Sequence, residues 1–182
     1  MSTMLIVAIV IIVFGALIAA YNNGVKLRNY VREAFSTMDV YMKKRWDLIP
    51  NLVETVKGYA AHEKEAFEKI TELRNKNYTG LTNEQKMEIN QQIGLGLAHL
   101  IAVAENYPEL KANESFQMLM QDLSAIETDI ANSRKYYNGC VRDYNNYTEY
   151  FPTNIIAAVF GFKREKMFEI SEQERENVKV SF

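Results

Sequence analysis

The stretch MLIVAIVIIVFGALIAA, residues 4–20, decides how the rest of the chain is read. Residues 1–21 carry no charged side chain. At about 1.5 Å per residue they amount to roughly 30 Å of helix, the thickness of a bilayer's hydrocarbon core. In water such a run exposes more apolar surface than a soluble monomer tolerates. The sequence therefore predicts one membrane-spanning helix with ends at Met4 and Tyr21, anchored in the lipid bilayer and holding a polar body. The competing reading is a cleaved signal peptide, which needs a basic leading segment, an apolar stretch of about 7–15 residues and a small-residue cleavage site. Met1-Ser2-Thr3 brings no basic side chain, the apolar stretch is too long, and Leu17-Ile18-Ala19-Ala20 matches such a site only loosely. The uncleaved anchor is the expectation.

Working outward, no charge precedes the span, whereas Lys26, Arg28, Arg32, Lys43, Lys44 and Arg45 follow it against Glu33 and Asp39. By the positive-inside rule this asymmetry predicts a cell-membrane protein with its N-terminus out and its body in the cytoplasm. A single span with a short uncharged leader also inserts the other way, which keeps a periplasmic or extracellular body open.

About 160 residues follow the span, enough for one hydrophobic core. The net charge of −2 supplies no field for nucleic acid. A single cysteine, Cys140, excludes an intramolecular disulfide framework and Cys-rich zinc sites. Three prolines and eight glycines are too few to punctuate a protein of many short strands.

Beyond Gly24 the apolar positions recur every three or four residues. Leu27, Val31, Ala34, Met38, Tyr41, Leu48, Leu52, Val56, Tyr59, Ala66, Ile70 and Leu73 form one helical stripe. Pro50 lies inside it, and because the phase is kept across the proline, the prediction is a kink there rather than a break. Asn77-Tyr78-Thr79-Gly80 ends that helix, with Gly80 suited to the left-handed position. Thr82 and Gln85 read as a capping box. Ile89, Ile93, Leu97, Leu100, Val103 and Ala104 mark a second helix, which stops before Pro108. Asn113 caps a third, whose stripe is Phe116, Leu119, Leu123, Ile126, Ile130, Ser133, Tyr137, Cys140, Tyr144, Tyr147 and Phe151. A short apolar segment follows at 155–160, too brief to span a membrane.

The predicted fold is all-α. It has a transmembrane anchor (1–21), an antiparallel bundle of long helices with the first kinked at Pro50 and a short C-terminal helix (22–162), and a tail (163–182). A kink at Pro50 carries 155–160 away from the bilayer; a reversal there brings it back to the interface. The kink is the expectation.

Several stretches resemble the bacterial LemA family. They are Arg45-Trp46-Asp47-Leu48-Ile49-Pro50-Asn51-Leu52-Val53-Glu54-Thr55-Val56-Lys57-Gly58-Tyr59-Ala60 with His62-Glu63, then Ala104-Glu105-Asn106-Tyr107-Pro108, Arg134-Lys135-Tyr136-Tyr137-Asn138 and Gly161-Phe162. The resemblance covers essentially the whole chain, with Trp46 standing where such chains more often carry Tyr. It implies a helical bundle on an N-terminal anchor and brings no established reaction and no catalytic residue. It also implies, as candidate partners, TPM-domain membrane proteins or membrane metalloproteases of the HtpX type.

No constellation of catalytic, cofactor-binding or metal-ligating residues emerges. A di-iron bundle needs Glu-x-x-His pairs, yet the only histidines, His62 and His99, follow Tyr59 and Gly96 at that spacing. His62 with Glu65 reads as a solvated face. Cys140 lies on the apolar stripe as a small core residue, and Gly94-Leu95-Gly96 suits close helix packing. Lys43, Lys44 and Arg45 point in different directions from one helix. Arg45 falls on the stripe and needs an internal partner, while the lysines with Trp46 and Asp47 form a candidate surface for an acidic partner. On a helix running straight from the span Lys43 lies roughly 30 Å beyond the membrane, outside a Debye length, whereas Lys26, Arg28 and Arg32 are near enough for anionic lipid. Tyr136 and Tyr150 lie off the stripe and extend the candidate interaction surface, beside Asn138, Asn145 and Asn146. Val178, Val180 and Phe182 alternate like an edge strand, against the alternatives of disorder or docking on the bundle.

The expected function is thus association, as a scaffold or adaptor that self-assembles into a homo-oligomer, and not enzymatic catalysis. The alternatives are a sensor that binds a small ligand or lipid between helices, and a hydrolase whose site escapes sequence reading.

Overall fold

The computed structural model describes residues 2–169, without the side chains of Ser2, Glu65, Ala66 and Lys69. The readings of Ala66, Glu65, Val178, Val180 and Phe182 lie outside the described residues. All regular structure among the described residues is helical, as predicted: α1 (Ser2–Lys57), α2 (Lys64–Arg74), a 3₁₀ turn (Tyr78–Gly80), α3 (Asn83–Ala104), α4 (Pro108–Lys111), α5 (Glu114–Glu149) and α6 (Thr153–Phe160). The chain forms two compact units, one from the residues up to Ser36 with Ser133–Phe168, the other built on Thr37–Asn132. Helices α1 and α5 contribute to both.

In the first unit α1 and α5 run antiparallel. Tyr147 donates its hydroxyl to the Ala20 carbonyl at 2.8 Å, and further along the Phe35 and Tyr137 rings meet edge-on at 5.8 Å. Val31, Ala34 and Phe35 are buried on α1; Tyr137, Val141, Tyr144 and Tyr147 are buried on α5. Gly24 permits the close approach, since a Cβ there would lie 2.7 Å from the Tyr147 ring. Helix α6 ends at Gly161, whose left-handed φ of 71° needs a residue without Cβ. The Phe162 amide then donates to the Ala157 carbonyl at 2.9 Å, and the Phe162 ring is buried against Tyr21 and Tyr147.

The irregular segment 162–168 is held on α5 by two side-chain amides. Asn145 donates Nδ2 to the Glu165 carbonyl and accepts the Glu165 N–H at Oδ1, at 2.9 and 3.0 Å. Asn138, two helical turns earlier, does the same to Phe168 at 2.9 and 2.8 Å. Tyr137 adds a hydrogen bond to the Lys166 carbonyl at 2.9 Å. Read from sequence as part of an open surface, Asn138 and Asn145 instead complete the hydrogen bonding of a segment with no ladder of its own.

In the second unit the helix passes through Pro50 without a break, as the phase of the stripe predicts, but it does not reach the end expected at Asn77–Gly80. Helix α1 continues through Pro50 to Lys57; the break falls at 58–63 instead. The lost hydrogen bond at the proline is offset by packing, since Ile49, Leu52, Val53 and Val56 around it are buried. At 58–63 the Tyr59 amide tightens onto Val56 and Ala60 inserts into the core. Helix α2 and the 3₁₀ turn after it then run back along α1, from Phe67 beneath the Lys57 ammonium to Tyr78 bonded to Asp39. Helix α3 follows α1 in parallel, Lys86 meeting Asp39 and Asn90 meeting Arg45. Gly96 packs on Ile70 of α2, in line with the role predicted for it. The Asn113 amide donates to the Tyr59 hydroxyl, and Glu127 meets Arg45, so α5 is antiparallel to α1 here too.

Other end signals behave as predicted. Thr82 and Gln85 form the capping box, and Asn113 Oδ1 accepts the Phe116 amide at 3.0 Å. Gly80 does not take the left-handed conformation; Gly161 is the glycine with positive φ among the described residues. The segment 155–160 is also misplaced by the kink reading. Its last residue, Phe160, packs its ring against Tyr21 at 4.7 Å and a 56° tilt, at the end of the apolar run. The Phe151–Pro152 peptide is cis.

Substituting Gly24→Ala forces the rigid Tyr147 ring away from α1. A loss of about 1–3 kcal/mol follows, the usual cost of overpacking, measurable by denaturant unfolding of the full chain in detergent micelles.

Candidate interaction surfaces and a buried cation

In the second unit the four consecutive residues Lys44, Arg45, Trp46 and Asp47 leave α1 in different directions. Arg45 turns inward and is 1% exposed. Its guanidinium donates Nη1–H to Glu127 Oε1 of α5 at 2.6 Å and Nη2–H to both the carbonyl and the Oδ1 of Asn90 on α3. A buried guanidinium without such acceptors is strongly destabilising; here one cation ties three helices. Glu127 is the half-exposed member. The internal partner that Arg45 needs is thus supplied by α5.

Trp46 corrects the predicted surface. It is buried, 5.1 Å from the Tyr78 ring. Tyr78 donates its hydroxyl to Asp39 Oδ1 at 2.7 Å, and Lys86 reaches Asp39 Oδ2 at 2.6 Å while lying over the same ring. Burial, then the bond to Asp39 and the Asp39 charge, push the Tyr78 hydroxyl well above the ordinary tyrosine range. Nothing in the spacing announced this cluster, because Asp39, Tyr78 and Lys86 lie on three separate elements.

Lys43 is paired with Asp47 one turn on and also faces Tyr78. Lys44 and Asp47 remain outside. With Leu48 they form one wall of a shallow groove of about 500 Å³, whose other wall is Asp122, Ala125, Ile126 and Asp129 of α5. The groove carries three carboxylates, Asp47, Asp122 and Asp129, against Lys44 and the Lys43 that pairs with Asp47, a slight acidic excess.

In the first unit Tyr136 and Tyr150 are exposed. A hydrogen bond and electrostatic coupling to the half-buried Cys140 side chain raise the Tyr136 hydroxyl above its usual value. Tyr144 is raised by burial. Arg28 lies over the Phe162 ring at 5.2 Å and Lys26 over Tyr30, so the basic residues after the apolar run take part in packing. His62 and His99 are exposed. Among the described residues no group of three or more His, Cys, Asp or Glu is placed to hold a metal.

The model of the LemA family matches residues 34–182. Protein LemA of Metamycoplasma hominis is 26% identical over 161 residues, covering 88% of this chain and 74% of that protein. Magnetosome protein MamQ 1 of Paramagnetospirillum magneticum is 25% identical over 186 residues, covering 88% and 68% respectively. Magnetosome protein MamQ of Magnetospirillum gryphiswaldense is 25% identical over 178 residues, covering 84% and 65%.

Two measurements check the buried network. Glu127→Ala strands the Arg45 cation and lowers stability by about 1–3 kcal/mol, less than a fully buried pair because Glu127 is half in water; denaturant midpoints of the full chain in micelles read the loss. The raised hydroxyl of Tyr78 favours the protonated folded state. Stability from this group is complete below the ordinary tyrosine pKa near 10 and falls as pH rises through and beyond it. Tyr78→Phe therefore flattens the alkaline decline of the melting temperature.

Proposed function

The chain belongs to the LemA family, and from that premise we propose that it is a membrane-anchored helical protein that works by association, as a scaffold or adaptor, and not by catalysis. One observation carries this reading. Along the single helix α1 the large apolar side chains from Met4 to Ile18 are exposed, at 47–82%, whereas Val31, Ala34, Phe35, Met38 and Met42 further on are buried. The same helix is thus built for two solvents. Its first part is long and apolar enough to cross a membrane, and a membrane is the medium in which that exposure is favourable.

The body lies on the cytoplasmic side in this reading, supported by the basic residues that follow the span. Association is supported by surfaces that the fold leaves open: the groove beside Lys44 and Asp47, and the exposed rings of Tyr136 and Tyr150. The proposed partners are a second copy of the chain, and membrane proteins of the TPM-domain or HtpX type implied by the sequence resemblance.

Two results test the proposal. Alkaline carbonate leaves the full chain in the membrane pellet, and extraction into the supernatant argues against the anchor. Amine-reactive cross-linking in native membranes gives discrete higher species; protein that remains monomeric with no recurring neighbour argues against association.

A further inference from the structure

Helix α6 and the corner before it are covered by nothing in the first unit on one side. Tyr150, Phe151, Ile155, Val159 and Phe160 are 56–81% exposed, while Ile156 and Ala157 face inward and are buried. The corner is fixed at one level of α1. Phe160 packs against Tyr21, the Tyr147 hydroxyl holds the Ala20 carbonyl, and Phe162 seals the gap between Tyr21 and Tyr147. Ala20 and Tyr21 close the apolar run, so the exposed apolar corner sits where that run ends. Immediately beyond it come exposed Lys163, Arg164 and Lys166, with Arg164 paired to Glu149 at 2.9 Å.

We propose that residues 150–160 form a second membrane contact: α6 lies in the lipid–water interface beside the exit of α1, with its exposed apolar face among the acyl chains. This rests on α1 spanning a bilayer. An eight-residue helix is too short to cross, so its exposed face is satisfied by lying in the plane of the membrane. Tyr21, Tyr150 and Phe151 supply the aromatic rings that favour the interfacial level, and Lys163 and Lys166 lie within reach of anionic headgroups. Continuity with the apolar run selects lipid over a protein partner as the occupant. A bilayer holding α1 already reaches Phe160.

The test uses the unaltered full chain in vesicles of phosphatidylcholine and phosphatidylglycerol that carry a diazirine phospholipid, with adducts mapped by mass spectrometry. Lipid adducts on 150–160 as well as on 4–20 are expected. Adducts on 4–20 with none on 150–160 overturn the inference and leave the anchor standing; adducts on neither overturn both. A depth measurement adds an independent check. Nitroxides at Val159→Cys and Val10→Cys in a Cys140→Ser background are compared with Met118→Cys. Val159 is expected to join Val10 in a several-fold rise of oxygen over nickel-chelate collisions relative to Met118. A water-like reading at Val159, or shielding from both reagents by a second protein copy, overturns the inference.

Discussion

Helix α1 has no break between Ser2 and Lys57, and the rest of the structure depends on that continuity. Its apolar first part is uncovered by protein, and its later turns are the surface on which α2, α3 and α5 assemble. The change of environment takes place over a short distance. Ile18 is still exposed, Gly24 is buried under the Tyr147 ring, and Val31 lies in the core. Fusing the apolar run to the core helix removes a hinge at the point where the body begins. The hydrogen bond from Tyr147 to the Ala20 carbonyl and the packing of Phe160 against Tyr21 fasten the end of the chain's long return path there.

Within the second unit a different constraint dominates. Apolar stripes allow helices to slide and rotate with little penalty, because one Leu or Ile contact resembles the next. Arg45 does not allow it. Its charge demands the Glu127 carboxylate and both oxygens of Asn90, and a shift of one turn on α3 or α5 would leave the guanidinium buried and unpaired. The Asp39–Tyr78–Lys86 cluster repeats the device one level away. Polar contacts of this kind set register, while the stripes supply the bulk of the burial.

The periodicity made most of the architecture legible. Val31, Ala34, Met38, Leu52, Val56, Ile93, Leu97, Leu123, Ile130 and Tyr144 were all read as core, and all are buried. Thr82, Gln85 and Asn113 cap their helices as local chemistry predicts. The interaction surface was less legible. Trp46 went inward, Lys43 and Arg45 proved paired within the chain, and Lys44 stayed outside on the groove. Three adjacent residues on a helix differ in direction by about 100° each, so their shared neighbourhood in sequence says little about which of them meets solvent.

What the sequence determined by itself is what depends on near neighbours along the chain: the uncharged run, the helical period, the caps and the all-α class. What only the tertiary structure decided is what depends on contacts between distant positions. The end of α1 is such a case. The apolar stripe keeps its phase through Pro50 and on to Leu73, and the helix does hold through the proline, with Ile49, Leu52 and Val53 buried around it. It nevertheless ends at Lys57, and the chain turns at 58–63, where Ala60 enters the core. Local signals weigh local energies; the direction of a chain is chosen by the sum of long-range packing, which no single stretch of sequence contains.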